Sequence, residues 1–305
     1  MQKLPLPLSL FLLLLLSAGL ALGSPPPQGQ APGRSAPGAR VPPPARIVSL
    51  APSITEILFA LGLKDKIVGD TDYCDYPPEA KKLPKVGGFR GVNLEALLKL
   101  KPDLVLATRD GNPARDLKRM TDLGIRVQTF QPSTLAGVLE EILAIGEATG
   151  AGTAAQALVQ DCRNKFESVH SRVQNLAPVK VLLVYGEDPL VLAGKGTFAD
   201  DLIRTAGGIN IAGDSDIPYP RFSLEEVIAR APEVIIEAAM GAEAETLARA
   251  QAAWSRWPSL PAVRRQRIAA ISADLVARPG PRLFDGLVQI ARILHPQASG
   301  EAAQP

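Results

Sequence analysis

The sequence predicts an α/β protein of two similar Rossmann-like lobes, each with a mainly parallel central sheet. A single long helix joins the lobes, and a ligand cleft lies between them. Three observations lead to this. Strand-length apolar runs alternate with helical stretches through most of the chain, as in βα units around a parallel sheet. Asn93-Leu94-Glu95-Ala96-Leu97-Leu98, running on to Pro102-Asp103-Leu104-Val105-Leu106, returns in the second half as Ser223-Leu224-Glu225-Glu226-Val227-Ile228, running on to Pro232-Glu233-Val234-Ile235-Ile236. Between the copies, residues 153–174 read as one helix without Pro or Gly, its apolar Ala154, Leu158, Phe166 and Val169 separated by polar residues. Such a helix can pack along both lobes.

The elements follow in order. Ile47-Val48-Ser49-Leu50 reads as a buried strand. Ser53 as N-cap and Glu56 three residues on form a capping box, opening an apolar helix that runs to Leu61. A short strand at Ile67-Val68-Gly69 leads into a turn-rich loop that lasts to Gly91. Asn93 caps the next helix, which stops before Lys101-Pro102, and Asp103 opens another buried strand reaching Ala107. A helix over residues 113–123 precedes a strand at Val127-Gln128-Thr129-Phe130, and residues 135–148 form a helix ahead of the connector. After Pro178 the pattern restarts with a strand over 179–185 and a helix over 198–205. Upstream of the repeated block, Gly69-Asp70-Thr71-Asp72 and Tyr76-Pro77 are echoed by Gly213-Asp214-Ser215-Asp216 and Tyr219-Pro220. Two blocks matching in the same order point to an internal duplication, and two copies of one lobe create a cleft between them.

Composition narrows the function classes. The 305 residues are 46% hydrophobic and 21% charged, an ordinary balance for a globular protein, and a net charge of +2 makes no case for nucleic acid. Lys3 is the only charge before Arg34, and the stretch from Leu8 to Leu22 is almost wholly apolar. That run is shorter than the ~20 residues needed to cross a bilayer. With the small residues around Ala21-Leu22-Gly23 it reads as a signal peptide over 1–23, cleaved before Ser24. No Cys follows it to carry a lipid. Residues 24–45, rich in Pro, Gly and Ala, read as a disordered tether. The lobes are expected over 46–149 and 177–297, the connector over 150–176 and a disordered tail over 298–305. Cys74 and Cys162 leave a single bridge open.

Nothing in the sequence calls for catalysis. There is no nucleophile elbow, no phosphate-binding glycine loop in context and no histidine placed for a triad, and Gly87-Gly88 and Gly207-Gly208 read as turns. The only histidines, His170 and His295, fall on the connector and near the C-terminal end, a poor start for a zinc site. The expectation is a protein that is not an enzyme and carries no resident cofactor or metal.

From about Ala45 to His295 the chain resembles the solute-binding proteins of bacterial iron-complex and cobalamin importers. The matching segments are residues 46–61, Tyr73-Cys74-Asp75-Tyr76-Pro77-Pro78-Glu79-Ala80, residues 93–105 and 214–225, and Ala273-Asp274 with residues 278–282. Asp75-Tyr76-Pro77-Pro78, followed later by Gly91-Val92-Asn93-Leu94-Glu95, is similar to the cobalamin-binding branch. The resemblance implies a periplasmic monomer that captures cobalamin or a related corrinoid and delivers it to an ABC importer permease at the inner membrane. It implies ligand contacts at Tyr73, Phe89, Thr108, Tyr185 and Tyr219 around the cleft, with Asp274 and Arg278 as a polar pair near its mouth. A corrin is broad, partly apolar and fringed with amides, so aromatic faces suit its plane and hydroxyls suit its rim. It further implies that Glu95 and Glu225, one per lobe, meet arginines of the permease, where paired charges set register more than affinity. Either glutamate also complements its own helix dipole.

Departures from the family pattern are plain. Thr108, Phe89 and Tyr219 stand where tryptophans are expected, Leu275 replaces another, and the second lobe has no cysteine for the relatives' disulfide. Arg90, Arg109, Arg115, Arg221 and Arg278 keep a ferric siderophore open, because clustered arginines suit anionic ligands. Tyr73 keeps haem open as an axial ligand. A sensor or interaction protein on the same fold is the remaining alternative.

Overall fold

A computed structural model of the chain describes residues 42–88 and 91–299. The signal peptide expected over 1–23, most of the tether, Phe89 and Arg90, and the end of the tail lie outside the described residues. The last tether residues are packed in place: Pro44 is buried and the Ala45 N–H donates to Asp103 Oδ2 at 2.8 Å. Ala298, expected in the tail, belongs to a 3₁₀ turn over Pro296–Ser299.

The first lobe contains β1 (Ile47–Ser49), α1 (Pro52–Ala60), β2 (Ile67–Gly69), the short strands β3 (Gly87–Gly88) and β4 (Gly91–Val92), α2 (Leu94–Lys99), β5 (Leu104–Thr108), α3 (Ala114–Asp122), β6 (Val127–Phe130) and α4 (Leu135–Thr149). Its sheet has the order β2-β1-β5-β6, with every pairing parallel. The connector α5 (Gly152–Val173) follows. The second lobe contains β7 (Val179–Glu187), β8 (Leu190–Leu192), α6 (Phe198–Thr205), β9 (Gly208–Asn210), α7 (Leu224–Arg230), β10 (Val234–Ala239), α8 (Glu243–Trp254), α9 (Pro261–Arg264), β11 (Ile268–Ser272), α10 (Asp274–Ala277) and α11 (Leu283–Leu294). There β9, β7, β10 and β11 repeat the parallel order of the first sheet, and β8 is added antiparallel along the later half of β7.

The duplication extends to backbone detail. Asn93 Oδ1 accepts from the Ala96 N–H at 3.0 Å, and Ser223 Oγ accepts from the Glu226 N–H at 3.2 Å, so both repeated helices carry the predicted cap. Both end in a left-handed residue before a proline: Lys101 has φ 46 and Ala231 has φ 50. A residue before proline avoids the right-handed helical region, so each helix stops there and turns into its strand.

The cap of α1 differs from the sequence expectation. Ala51 is the N-cap, with extended φ −150 and ψ 144, Pro52 occupies the first turn, and no side chain caps the helix. Proline suits that position because its missing N–H would be unpaired there anyway. Ser53 therefore lies inside the helix, and Glu56 is 3% exposed and bonds Arg282 instead of capping the helix.

Side-chain alternation along the strands divides the interior. Val181 and Leu183 face one side of the second sheet, and Leu182 and Val184 the other. The first of these sides belongs to a core that runs through both lobes, from Ile54 and Ile57 on α1, through Ile142 and Ile145 on α4, to Leu202 on α6 and Phe284 on α11. The connector lies along it, burying Ala155, Val159, Cys162, Val169 and Val173 over its 22 residues. At 1.5 Å per residue it is about 33 Å long, enough to pack on α4 and α11 at once. Lys165 ties it to the second lobe through Asp285 at 2.8 Å.

Candidate functional site

In open parallel sheets ligands gather outside the carboxyl ends of the strands. In the second lobe that region holds Tyr185, near the end of β7, and the loop carrying Tyr219. The two rings meet edge to face with centroids 5.7 Å apart, an arrangement the ring quadrupoles favour. Tyr185 is partly buried, and its hydroxyl donates to the Val276 carbonyl at 3.2 Å. Tyr219 is 55% exposed and leans on it. The Tyr219 loop is fixed from beneath by N–H donation from Leu192 to Pro220 O at 3.0 Å and from Gly194 to Pro218 O at 2.8 Å. A Cβ at residue 194 would collide with the Ile217 carbonyl, so only glycine lets the loop lie this close. Burial pushes both phenols above the usual tyrosine value, so they stay neutral donors.

In the first lobe Tyr73 is 47% exposed and rests on the β3 strand; a Cβ at residue 88 would stand 2.7 Å from its ring. Thr108 ends β5 and closes a turn: its N–H donates to Asn112 Oδ1 at 2.9 Å, and its Oγ1 accepts from the Gly111 N–H at 3.3 Å.

Asp274 and Arg278 do form a pair, with Arg278 Nε 2.8 Å from Asp274 Oδ1, but it belongs to a larger network joining the lobes. Arg278 Nη1 donates to Asp75 Oδ1 at 2.6 Å and stands 3.6 Å from Glu56 Oε1. Arg282 holds Glu56 through two bonds, at 2.6 and 2.8 Å, and its guanidinium lies 3.9 Å from the centre of the Tyr76 ring. Burial acts to raise Asp75, and the Arg278 guanidinium outweighs it, holding the carboxyl below the usual range. A pocket of about 340 Å³ opens beside this network, between Glu56, Tyr76 and Arg282.

Glu95 and Glu225 occupy equivalent first-turn positions on α2 and α7, both exposed. Glu95 pairs with Lys99 at 2.7 Å. Glu225 is held below the usual range by its own backbone N–H and the Ser223 hydroxyl.

Some residues at these sites were missed from sequence. Glu56, Asp75 and Arg282 leave no local signal, because their partners are more than two hundred residues away. Met240, 88% exposed directly after β10, and Ile217, 62% exposed beside Tyr219, do leave one, since each is a large apolar residue next to a strand end or an aromatic loop. The histidines stay clear of the tyrosines: His170 stacks on Phe166 at 6.1 Å and His295 lies 3.3 Å from the Gly207 carbonyl. Among the described residues no three His, Cys, Asp or Glu side chains come together as a metal site.

Comparison with known proteins places these features in context. A profile of the periplasmic binding proteins matches residues 47–275. The vitamin B12-binding protein of Vibrio cholerae is 33% identical over 253 residues, covering 83% of this chain and 90% of the relative. The crystal structure of the periplasmic vitamin B12 binding protein of Vibrio cholerae superposes with a TM-score of 0.74 at 32% identity, over 85% of this chain and 99% of that one. The periplasmic haem-binding protein of Roseiflexus sp. RS-1, in its apo form, does so with a TM-score of 0.72 at 31% identity, over 83% and 98%.

Proposed function

Because the chain belongs to the periplasmic binding protein family, we propose that it captures cobalamin or a close corrinoid in the periplasm and hands it to an ABC-type importer. The observation that carries this reading is the tyrosine pair. Tyr219 offers an exposed ring backed by Tyr185, at the strand ends where α/β proteins hold ligands. A broad corrin plane suits such a ring, and neutral phenols suit its amide rim. Tyr73, Phe89 and Thr108 would contribute from the first lobe, and Asp274 with Arg278 from the second. Export by a leader cleaved before Ser24, a monomeric state and a purely binding role without catalysis belong to the same reading.

Glu95 and Glu225 are the proposed docking points for the permease. Their support is positional: the same residue, at the same turn of duplicated helices, exposed in both lobes. A second reading, haem, draws on the 31% identity to the Roseiflexus protein. Calorimetric titration of the protein purified after export separates the two, using cyanocobalamin, haemin and a ferric siderophore. One-to-one binding of the corrinoid alone is expected. Preference for haemin or the siderophore would overturn the ligand assignment and leave the transport role.

A further inference from the structure

A pocket of about 260 Å³ opens in the second lobe, outside the carboxyl ends of β7 and β10, which are direct parallel neighbours. Tyr185 is among its lining residues at the end of β7, its ring on the opposite face of the sheet from Glu237, and the exposed Met240 lies at its rim. Glu237, on β10, is among its lining residues and is 3% exposed. Every residue of β10 is buried, and Glu237 is the one ionisable side chain in that strand. A carboxyl in the middle of a central strand carries a desolvation penalty that an apolar residue would avoid. Buried ionisable groups in a cleft are concentrated at functional sites.

The surroundings define what the pocket can accept. Glu237 Oε1 accepts from Trp254 Nε1 on α8 at 2.8 Å, leaving Oε2 for an occupant. From the end of β7 comes Glu187, and from α8 comes Arg249; these two pair with each other at 2.9 Å. Ala270 faces Glu237 from β11 and Val184 from β7, neither of them charged. Burial pushes Glu237 up to about 7; the Trp254 bond works against this, the nearby Glu187 adds to it, and Arg249 opposes it. An anionic occupant would meet two carboxyl groups with a single guanidinium already engaged. A cationic one would stand beside Arg249. A neutral group that both donates and accepts meets neither obstacle: Oε2 can donate to a primary amide's oxygen when Glu237 is protonated and accept from its N–H when it is ionised. The volume is several times the ~30 Å³ of one water, room for a short amide-tipped arm.

We propose that this pocket is a subsite for one primary-amide arm of the bound ligand, with Glu237 as the residue that selects amide over carboxylate. The inference rests on the corrinoid reading and adds to it a specificity determinant on the second lobe. The subsite holds one arm while the tyrosines cover the ring plane, and so sets the ligand's rotation in the cleft.

The test uses the exported protein, cyanocobalamin, and the separated monocarboxylic acids made by hydrolysing one amide arm at a time. Calorimetry is run at about pH 5.5 and about pH 8.5, on either side of the Glu237 transition. Cyanocobalamin should bind at both. One of the monoacids should bind about tenfold or more weakly at the higher pH and recover at the lower, where Glu237 is protonated. Glu237→Gln, which keeps both a donor and an acceptor, should hold cyanocobalamin within a few-fold and remove that pH dependence. Glu237→Leu should weaken cyanocobalamin about tenfold, with the circular dichroism spectrum confirming that both variants fold. Equal binding of every monoacid at both pH values, or indifference to both substitutions, overturns the subsite. Failure of the unaltered protein to bind cyanocobalamin at all overturns the corrinoid reading on which it rests.

Discussion

Arg282 of the second lobe grips Glu56 of the first in a fork, Nε to Oε2 at 2.8 Å and Nη2 to Oε1 at 2.6 Å, across 226 residues of sequence. The Glu56 side chain is only 2% exposed and that of Arg282 17%. A pair this buried is costly to break from one side, because the remaining charge keeps its desolvation penalty.

Arg282→Ala is therefore expected to lower the unfolding free energy by about 3 kcal/mol in urea titrations. Replacing both residues by Met should recover most of that loss, since no buried charge is then left unpaired. A single variant as stable as the parent would mean that the fork does not hold the lobes.

Tyr219→Ala removes the exposed ring and should weaken ligand binding about tenfold or more, with little change in stability. Tyr185→Phe keeps the edge-to-face contact and loses only the bond to the Val276 carbonyl, an expected cost of about 1 kcal/mol in stability. Fluorescence titration and urea unfolding of the two variants distinguish ring contact from scaffold support.

The double variant Glu95→Ala with Glu225→Ala should leave the ligand dissociation constant unchanged and reduce uptake in cells. Either single variant should fall between, because the permease would still be engaged from one lobe. A large loss of affinity in the double variant would count against docking.

Glu141 on α4 is 4% exposed, neither of its oxygens has a partner among the described residues, and burial pushes it up to about 8. In the unfolded chain it ionises near 4.5. Between these values the unfolded state has released a proton that the folded state keeps, so stability falls as pH rises from about 4.5 to about 8 and levels off above. Glu141→Leu should flatten that slope and raise stability at about pH 8 by 1 to 3 kcal/mol, read from urea midpoints at several pH values.

Both cysteines are free and buried, Cys74 bonded by the Thr55 hydroxyl and Cys162 within the connector. Burial raises both thiols, that of Cys162 up to about 12. A thiol reagent at about pH 8 should label neither in the native protein and both after denaturation, because only the accessible thiolate reacts. Absence of labelling after denaturation would reveal a bridge.

Much of the fold could be read in advance because its signals are local. The helix over Phe198–Thr205, the caps at Asn93 and Ser223, and the strand at Val127–Phe130 follow from spacing and capping within a few residues. At α1 local spacing misleads. Ser53 and Glu56 have the spacing of a capping box, but Pro52 takes the first turn and Glu56 belongs to a contact with the other lobe. The candidate site was legible where it coincides with exposed aromatics in loops, and illegible where it depends on buried carboxyls. Glu56, Glu141 and Glu237 are ordinary glutamates in a sequence.

The sequence by itself determined the succession of strands and helices, the duplicated lobe and the uninterrupted connector, because backbone hydrogen bonding and apolar periodicity act between near neighbours. Only the tertiary structure decided that Arg278 and Arg282 meet Asp75 and Glu56, that Tyr219 leans on Tyr185, and that Glu237 borders a pocket. Those outcomes depend on which surfaces two folded lobes bring within a few ångströms. The strength of a charge or hydrogen bond is set by that distance and by the water excluded around it.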